Sequence, residues 1–189
     1  PHKTAKALAA ALKADTPKVG WAGGSAGGAD HILAGLVAKA AGGDATKLNY
    51  VPFSGGGEAL AEMLGGRVTA GISGYNEFES QIKTGKLRAL AISSGKRMAG
   101  VDVPTLKEQG LDVELLNWRG IVAGPGISAA QKSALSGAVA KAVKSDEWNK
   151  VLKARGWEDA YLDADAFAAF LKQDQVRVKE VLTSVGLVK

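Results

Sequence analysis

Three strand–glycine–helix junctions fall between residues 19 and 78, and they constrain the fold more than any other feature of the sequence. The first is VGWAGGSAGGADH (19–31): a short apolar run, a glycine-rich turn, and the opening of a helix that continues as HILAGLVAKAA. Gly23, Gly24, Gly27 and Gly28 surround one hydroxyl, Ser25. The second, LNYVPFSGGGEAL (48–60), sets Ser54, Gly55, Gly56 and Gly57 between a strand and a helix. The third, VTAGISGYNEF (68–78), does the same with Ser73 and Gly74 ahead of Tyr75. Glycine lets a ligand approach the main chain closely. A helix N-terminus offers unpaired N–H groups and the positive end of the dipole, which suits an anion.

The pattern along the chain is β-α-β-α-β-α-β. A helix is predicted over 4–14, with Thr4 as N-cap and a break at Thr16-Pro17. Strand 19–22, helix 28–41, strand 48–52, helix 57–64, strand 68–72, helix 75–84 and strand 87–93 follow. Such alternation predicts a parallel sheet flanked by helices, an α/β fold. Right-handed crossovers then bring the three glycine turns to the carboxyl edge of that sheet. A loop over 94–104 and a short helix near Thr105–Gln109 lead into VELLNWRGIVAGP (113–125), whose length predicts a strand leaving one unit for another. Beyond Pro125 the character changes. Ser128 and Gln131 form a capping box for one helix, Ser145 caps a second that stops at Gly156, and Asp163 or Asp165 opens a last helix to about Ser184. These amphipathic helices have little strand to cover, and an apolar helix face needs a partner.

Composition removes several function classes. With no cysteine among 189 residues there are no disulfides, thiolate metal sites or cysteine nucleophile. The net charge of +5 is spread along the chain rather than clustered, which argues against nucleic acid as a partner and fits attraction of a small anion. No apolar stretch approaches the roughly 20 residues that span a bilayer, and no signal peptide is seen. The start, Pro1-His2-Lys3-Thr4, runs almost at once into helix and reads as the interior of a longer chain.

Several residues have two readings. Gly23-Gly24-Ser25-Ala26-Gly27 matches G-x-S-x-G, the nucleophile elbow of serine hydrolases. A triad needs a later histidine, and the only one is His31, in the helix the elbow itself starts. Ser25 is therefore read first as a hydrogen-bond donor, with a serine hydrolase as the alternative. The loop lacks the Lys-Ser/Thr of a phosphate-binding Walker motif. His31 faces a ligand or belongs to the core; no second histidine or carboxylate cluster at ligand spacing points to a metal. Asp30 fits a first-turn carboxylate favoured by the dipole. Ser54 and Ser73 are N-caps or ligand donors, and Trp21 and Tyr75 wall a pocket or fill the core. Arg119, beside Trp118, is a carboxylate clamp or a solvated charge. Trp148 and Trp157 read as core.

The succession of a glycine-rich turn ending in a histidine, YVPFSGGGEALAEMLGGRV, IKTGKLRALAISSGKR, DVPTLKEQG and NWRGIVAGPGIS resembles the periplasmic solute-binding proteins of tripartite tricarboxylate transporters, the Bug family. The resemblance spans essentially the whole chain. It implies two α/β lobes of the type II periplasmic-binding-protein kind with a ligand between them, a periplasmic location, and membrane transporter subunits as partners. It implies a receptor rather than an enzyme, without a cofactor. The ligand it implies is a small carboxylate: a di- or tricarboxylate, an amino acid or an aromatic acid. The expected ligand-binding residues are Gly23, Gly24, Ser25, Gly28, His31, Ser54, Gly55, Gly56, Ser73, Gly74 and Tyr75. By the same resemblance residues 1–117 are lobe two, and 118–189 are a crossing strand and C-terminal helices of lobe one, whose N-terminal half is absent. The second lobe would then be incomplete, and self-association through it is expected. One departure matters: where the family often has a serine three residues before the histidine, this chain has Gly28.

Overall fold

A computed structural model describes residues 2–188. By packing, the chain divides into two compact units. Unit 1 takes the chain up to Asn117 and the segment from Val178 onward; unit 2 is Trp118–Arg177. The sequence reading instead keeps residues 118–189 together. The difference has a packing cause: Val185 is buried, and its side chain lies where a Cβ on Gly35 would stand.

Unit 1 is built on a three-stranded parallel sheet of order β2-β1-β3, with β1 at Gly20–Gly23, β2 at Asn49–Pro52 and β3 at Ala70–Gly71. Trp21 pairs with Tyr50 on one side and Ala70 on the other, and Ala22 with Val51 and Gly71. Four helices accompany it: α1 (Ala5–Ala14), α2 (Ala29–Ala40), α3 (Gly56–Leu64) and α4 (Tyr75–Lys83). Successive strand residues point to opposite faces. The Trp21 face packs with Leu8 and Leu12 of α1 and Ala34, Val37 and Ala38 of α2. The Ala22 face carries α3, with Met63 lying where a Cβ on Gly71 would stand. Small residues at Ala22 and Gly71 let that helix approach closely. The sheet is thus covered on both faces, as a parallel sheet requires.

Helix ends follow the residues expected of them. The Thr4 hydroxyl accepts from the Ala7 N–H at 3.1 Å and caps α1. Gly42, Gly66 and Gly85 follow α2, α3 and α4 with positive φ, as helix C-termini favour.

Two expected strands do not form. Residues 87–93 contribute a single parallel bridge, Ile92 with Thr105. Residues 113–125 join no ladder. Leu111, Val113 and Leu115 are buried while Asp112, Glu114 and Leu116 are exposed, so the period-2 pattern is real. Its N–H and C=O groups go elsewhere: the Leu115 N–H donates to Ser93 O at 3.0 Å, and the Ser93 hydroxyl to Leu115 O at 2.7 Å. The short helix expected near 105–109 is a 3-10 turn, Lys107–Gln109.

Unit 2 holds α5 (Ala129–Val143), α6 (Asp146–Arg155) and the first part of α7 (Ala164–Ser184). Ser128 and Gln131 cap α5 reciprocally, Ser145 caps α6, and Gly156 ends α6 in the left-handed region at φ 60°. Its centre is aromatic. Trp118 meets Phe167 and Phe170 edge-on at 5.6 and 5.4 Å. Its Nε1–H donates to Asp174 at 3.2 Å, and Asp174 is held by Arg177. Both Arg119 and Arg155 lie over the ring of Trp157.

Candidate ligand-binding site

The three glycine turns all follow the C-terminal ends of parallel strands that are hydrogen-bonded neighbours, so they share one edge of the sheet. They also touch. A Cβ on Gly23 would strike the Tyr50 hydroxyl and lie 3.1 Å from the Ile72 carbonyl. A Cβ on Gly56 would lie 2.6 Å from the Ser73 hydroxyl and 2.9 Å from the Glu77 carboxyl. A side chain at Gly23 would meet the Asp30 Cβ and the Ile72 carbonyl, and one at Gly56 would have to displace the Ser73 and Glu77 side chains, which explains the residue type better than φ does.

α2, α3 and α4 therefore begin side by side. The first N–H groups of each helix have no partner within the helix: those of Ala29–His31, Gly56–Glu58 and, in α4, Tyr75 and Asn76, the Glu77 N–H donating to Gly74 O at 2.9 Å. An open cleft of about 370 Å³ lies at the first two turns, lined by Ser25 and Ala26 of the first, Pro52, Phe53 and Ser54 of the second, and Glu58; the third turn does not line it. Ser25 and Ser54 are exposed on it, and Ser73 stands behind Gly56. Gly55 and Gly74 are the N-caps of α3 and α4, and Tyr75 is half-buried at the first position of α4.

Each helix brings its own carboxylate to its own turn. The Gly24 N–H donates to Asp30 Oδ2 at 2.8 Å, and the Ser54 N–H to Glu58 Oε2 at 3.0 Å. The Gly74 N–H donates to Glu77 Oε2 at 3.1 Å, and the Ser73 hydroxyl donates to the same oxygen. Part of the N–H supply expected for a ligand is thus taken by the chain itself. Burial raises the Asp30 carboxyl above the ordinary carboxylate value; the Gly24 hydrogen bond works against this, and the charge of Glu77 adds to it.

His31 is buried. Its Nδ1 accepts the Gly27 N–H at 3.1 Å, which fixes the proton of the neutral ring on Nε2. Burial lowers its pKa. The ring stacks on Tyr50 at 4.1 Å with 1° between planes. Tyr50 in turn donates its hydroxyl to Gly24 O at 2.8 Å, and burial together with the Asp30 charge raises its pKa. This geometry does not support the hydrolase alternative. The one histidine after Ser25 commits its acceptor nitrogen to the loop backbone and does not serve the Ser25 hydroxyl as a base. Trp21 is core, 3% exposed. Among the described residues no group of three or more His, Asp or Glu could hold a metal ion, and no helix is long and apolar enough to cross a membrane.

Sequence reasoning overlooked Tyr50, Glu58 and Glu77. A signal existed: Glu58 and Glu77 stand at the third helical position, where a carboxylate reaches back to cap its turn.

The family described as "Tripartite tricarboxylate transporter family receptor" (TctC) matches residues 1–187. Protein BugT of Bordetella pertussis is 28% identical over 182 residues, 95% of this chain and 55% of BugT. The chain spans about half the length of the relatives it matches, at 44%, 41% and 55%. A crystal structure of a TctC solute-binding protein from Polaromonas superposes with a TM-score of 0.74 at 30% identity, covering 97% of this chain and 62% of that one. The R. palustris protein Rpa4515, solved with adipate, has the same fold, with a TM-score of 0.84 at 21% identity over 98% of this chain and 62% of its own. The chain belongs to the tripartite tricarboxylate transporter receptor family.

Proposed function

We propose that this chain is part of a periplasmic receptor that captures a small carboxylate for a tripartite tricarboxylate transporter, with membrane transporter subunits as its partners. The observation that carries the reading is the convergence of three helix N-termini on one sheet edge, beside a cleft lined by two serines. A carboxylate there would take the N–H groups left over by Asp30, Glu58 and Glu77, and the hydroxyls of Ser25 and Ser54. Gly23, Gly24, Gly28, Gly55, Gly56, Ser73, Gly74 and Tyr75 would shape the turns around it. Adipate, a dicarboxylate held by a neighbour of the same fold, supports this ligand class. Unit 1 up to residue 117 would be one ligand-binding lobe, and the chain after it would contribute to the other.

Calorimetry with adipate and citrate, and with adipamide as the uncharged control, tests the reading. A carboxylate should bind and adipamide should not. Gly56→Val, which drives a branched side chain into Ser73 and Glu77, should weaken adipate at least about tenfold. Ser80→Ala, on an exposed face of α4, should leave it unchanged. Equal affinities for adipate and adipamide would overturn the reading.

The exposed apolar groups of unit 2, with Ile121 at 74% and Val122 at 77%, favour self-association of this chain. Light scattering at micromolar concentration should show a mass rising with concentration, and a monodisperse monomer would exclude it.

A further inference from the structure

We propose that Asp30, His31 and Tyr50 are positioning residues that clamp the first turn from beneath, so that Ser25 and Ala26 are presented to the cleft in a fixed shape. The ligand side of the proposal rests on the carboxylate reading above; the clamp itself does not.

The geometry is closed on itself. The turn 24–27 is gripped at both ends. At Gly24 the N–H goes to the Asp30 carboxylate and the carbonyl receives the Tyr50 hydroxyl. At Gly27, whose φ is +75°, the N–H goes to His31 Nδ1. The two side chains that grip opposite ends are stacked ring on ring. Between the grips, Ser25 and Ala26 are exposed and line the cleft. Glycine alone would leave this turn many conformations, and a mobile turn loses entropy when a ligand orders it. Three side chains from β2 and α2 remove that freedom in advance.

The His31 grip depends on protonation. Nδ1 accepts only while the ring is neutral; an imidazolium presents N–H at both nitrogens and cannot take the Gly27 proton. The ionisable groups around it are Asp30 on its own helix, Tyr50 on β2, and Glu77 on α4, whose charge reaches Asp30. Asparagine differs usefully from alanine here, because its carbonyl oxygen sits where Nδ1 does and does not titrate in this range.

Amide NMR on the labelled chain tests the clamp without any ligand. In the wild type the Gly27 amide should shift in one step as the pH falls below 6.5. His31→Asn should abolish that step and keep the Gly27 amide protected from exchange. His31→Ala should raise Gly27 exchange about tenfold, the usual worth of one lost hydrogen bond, with Ala34 and Ala38 as controls for the folded core. Tyr50→Phe keeps the ring stack and should raise exchange in the turn by less. Calorimetry with adipate at pH 7.5 adds the functional arm: affinity about tenfold weaker in His31→Ala and within threefold of wild type in His31→Asn. A Gly27 amide indifferent to pH overturns the clamp, as does failure of His31→Asn to restore its protection. If His31→Ala unfolds, His31→Asn and Tyr50→Phe decide. Absence of adipate binding in the wild type would sink the carboxylate reading, while the amide measurements would still decide for or against the clamp.

Discussion

α2 and α5 are both well-formed helices, and they live differently. α2 has no side-chain cap, yet buries Ala34, Val37 and Ala38 against a sheet face. α5 has a reciprocal capping box and an alanine-rich sequence of high helix propensity, yet buries no residue at all, and Leu135 stands 52% exposed. Caps and propensity decide that a segment is helical. A facing apolar layer decides whether it belongs to a core. Unit 1 has such a layer in its three strands. Unit 2 has only the cluster around Trp118, with Leu152 and Asp174 its only buried residues among those described.

The sharpest way to break this contrast is to shave the same side chain in each unit. Leu12 is fully buried on α1, and Leu12→Ala should cost about 2–5 kcal/mol. Leu135→Ala should cost less than about 0.5 kcal/mol. Urea denaturation followed by amide exchange reads both. Comparable losses would mean that α5 is covered in solution by something this chain alone does not provide.

Next in size is the aromatic hub. Trp118 is 38% exposed, so Trp118→Ala should cost somewhat less than a fully buried tryptophan, about 2 kcal/mol. It removes two edge-on ring contacts and leaves Asp174 without its indole donor. Amides in 129–143 and 146–155 should exchange faster, and those of β1 should not change. An effect spread evenly over both units would show that unit 2 is not organised around this residue.

What the sequence made legible, and what it hid, follows the same physical line. The three glycine turns, the helix caps at Thr4, Ser128 and Ser145, and the parallel arrangement are local patterns, and local chemistry determines them. The strands expected at 87–93 and 113–125 are not, because alternation reports which side chains are buried and is silent on where the N–H groups go. Leu111, Val113 and Leu115 alternate without a ladder. At the site, glycines marked the turns and the third helical position marked Glu58 and Glu77 as caps, but the reach of Asp30 back to the Gly24 N–H needed three dimensions. So did the partnership of His31 with Tyr50, which lie on different elements and meet only when β2 settles beside β1.

Caps give a smaller test. Thr4→Ala and Ser128→Ala each remove one hydroxyl that accepts a helix N–H, at 3.1 and 3.2 Å. Each should cost its own helix about 1 kcal/mol. The prediction is that the loss reads differently. In α1, whose Ala5, Leu8 and Leu12 are buried, it should appear in the global stability of unit 1. In α5 it should appear as local fraying at 129–133, with the global transition unmoved. A global shift from Ser128→Ala would contradict the view that α5 is marginally attached.

The smallest effect separates the units by pH. The two histidines of the chain are His2 and His31, so α5 and α6 contain none. Burial holds the His31 pKa below 6.5, which means that the folded state favours the neutral ring and the unfolded chain takes up the proton first. Its contribution is complete above pH 6.5 and declines as the pH falls through the lower, folded value. Asp30 works in the opposite sense, since its carboxyl is raised: acid that neutralises it relieves the cost of burying its charge. The ordinary histidine value lies between pH 7.5 and 5.5 and the ordinary carboxylate value below it, so over that interval the expected change is a softening of unit 1. Amide exchange at pH 7.5 and 5.5, corrected for the intrinsic rates, should show lower protection at the acid value in Gly27 and Ile32, with α6 unchanged. His31→Asn should remove the difference. Softening of α6 to the same degree, or persistence of the effect in His31→Asn, would place its origin in the carboxylates both units share and not in the one histidine beneath the loop.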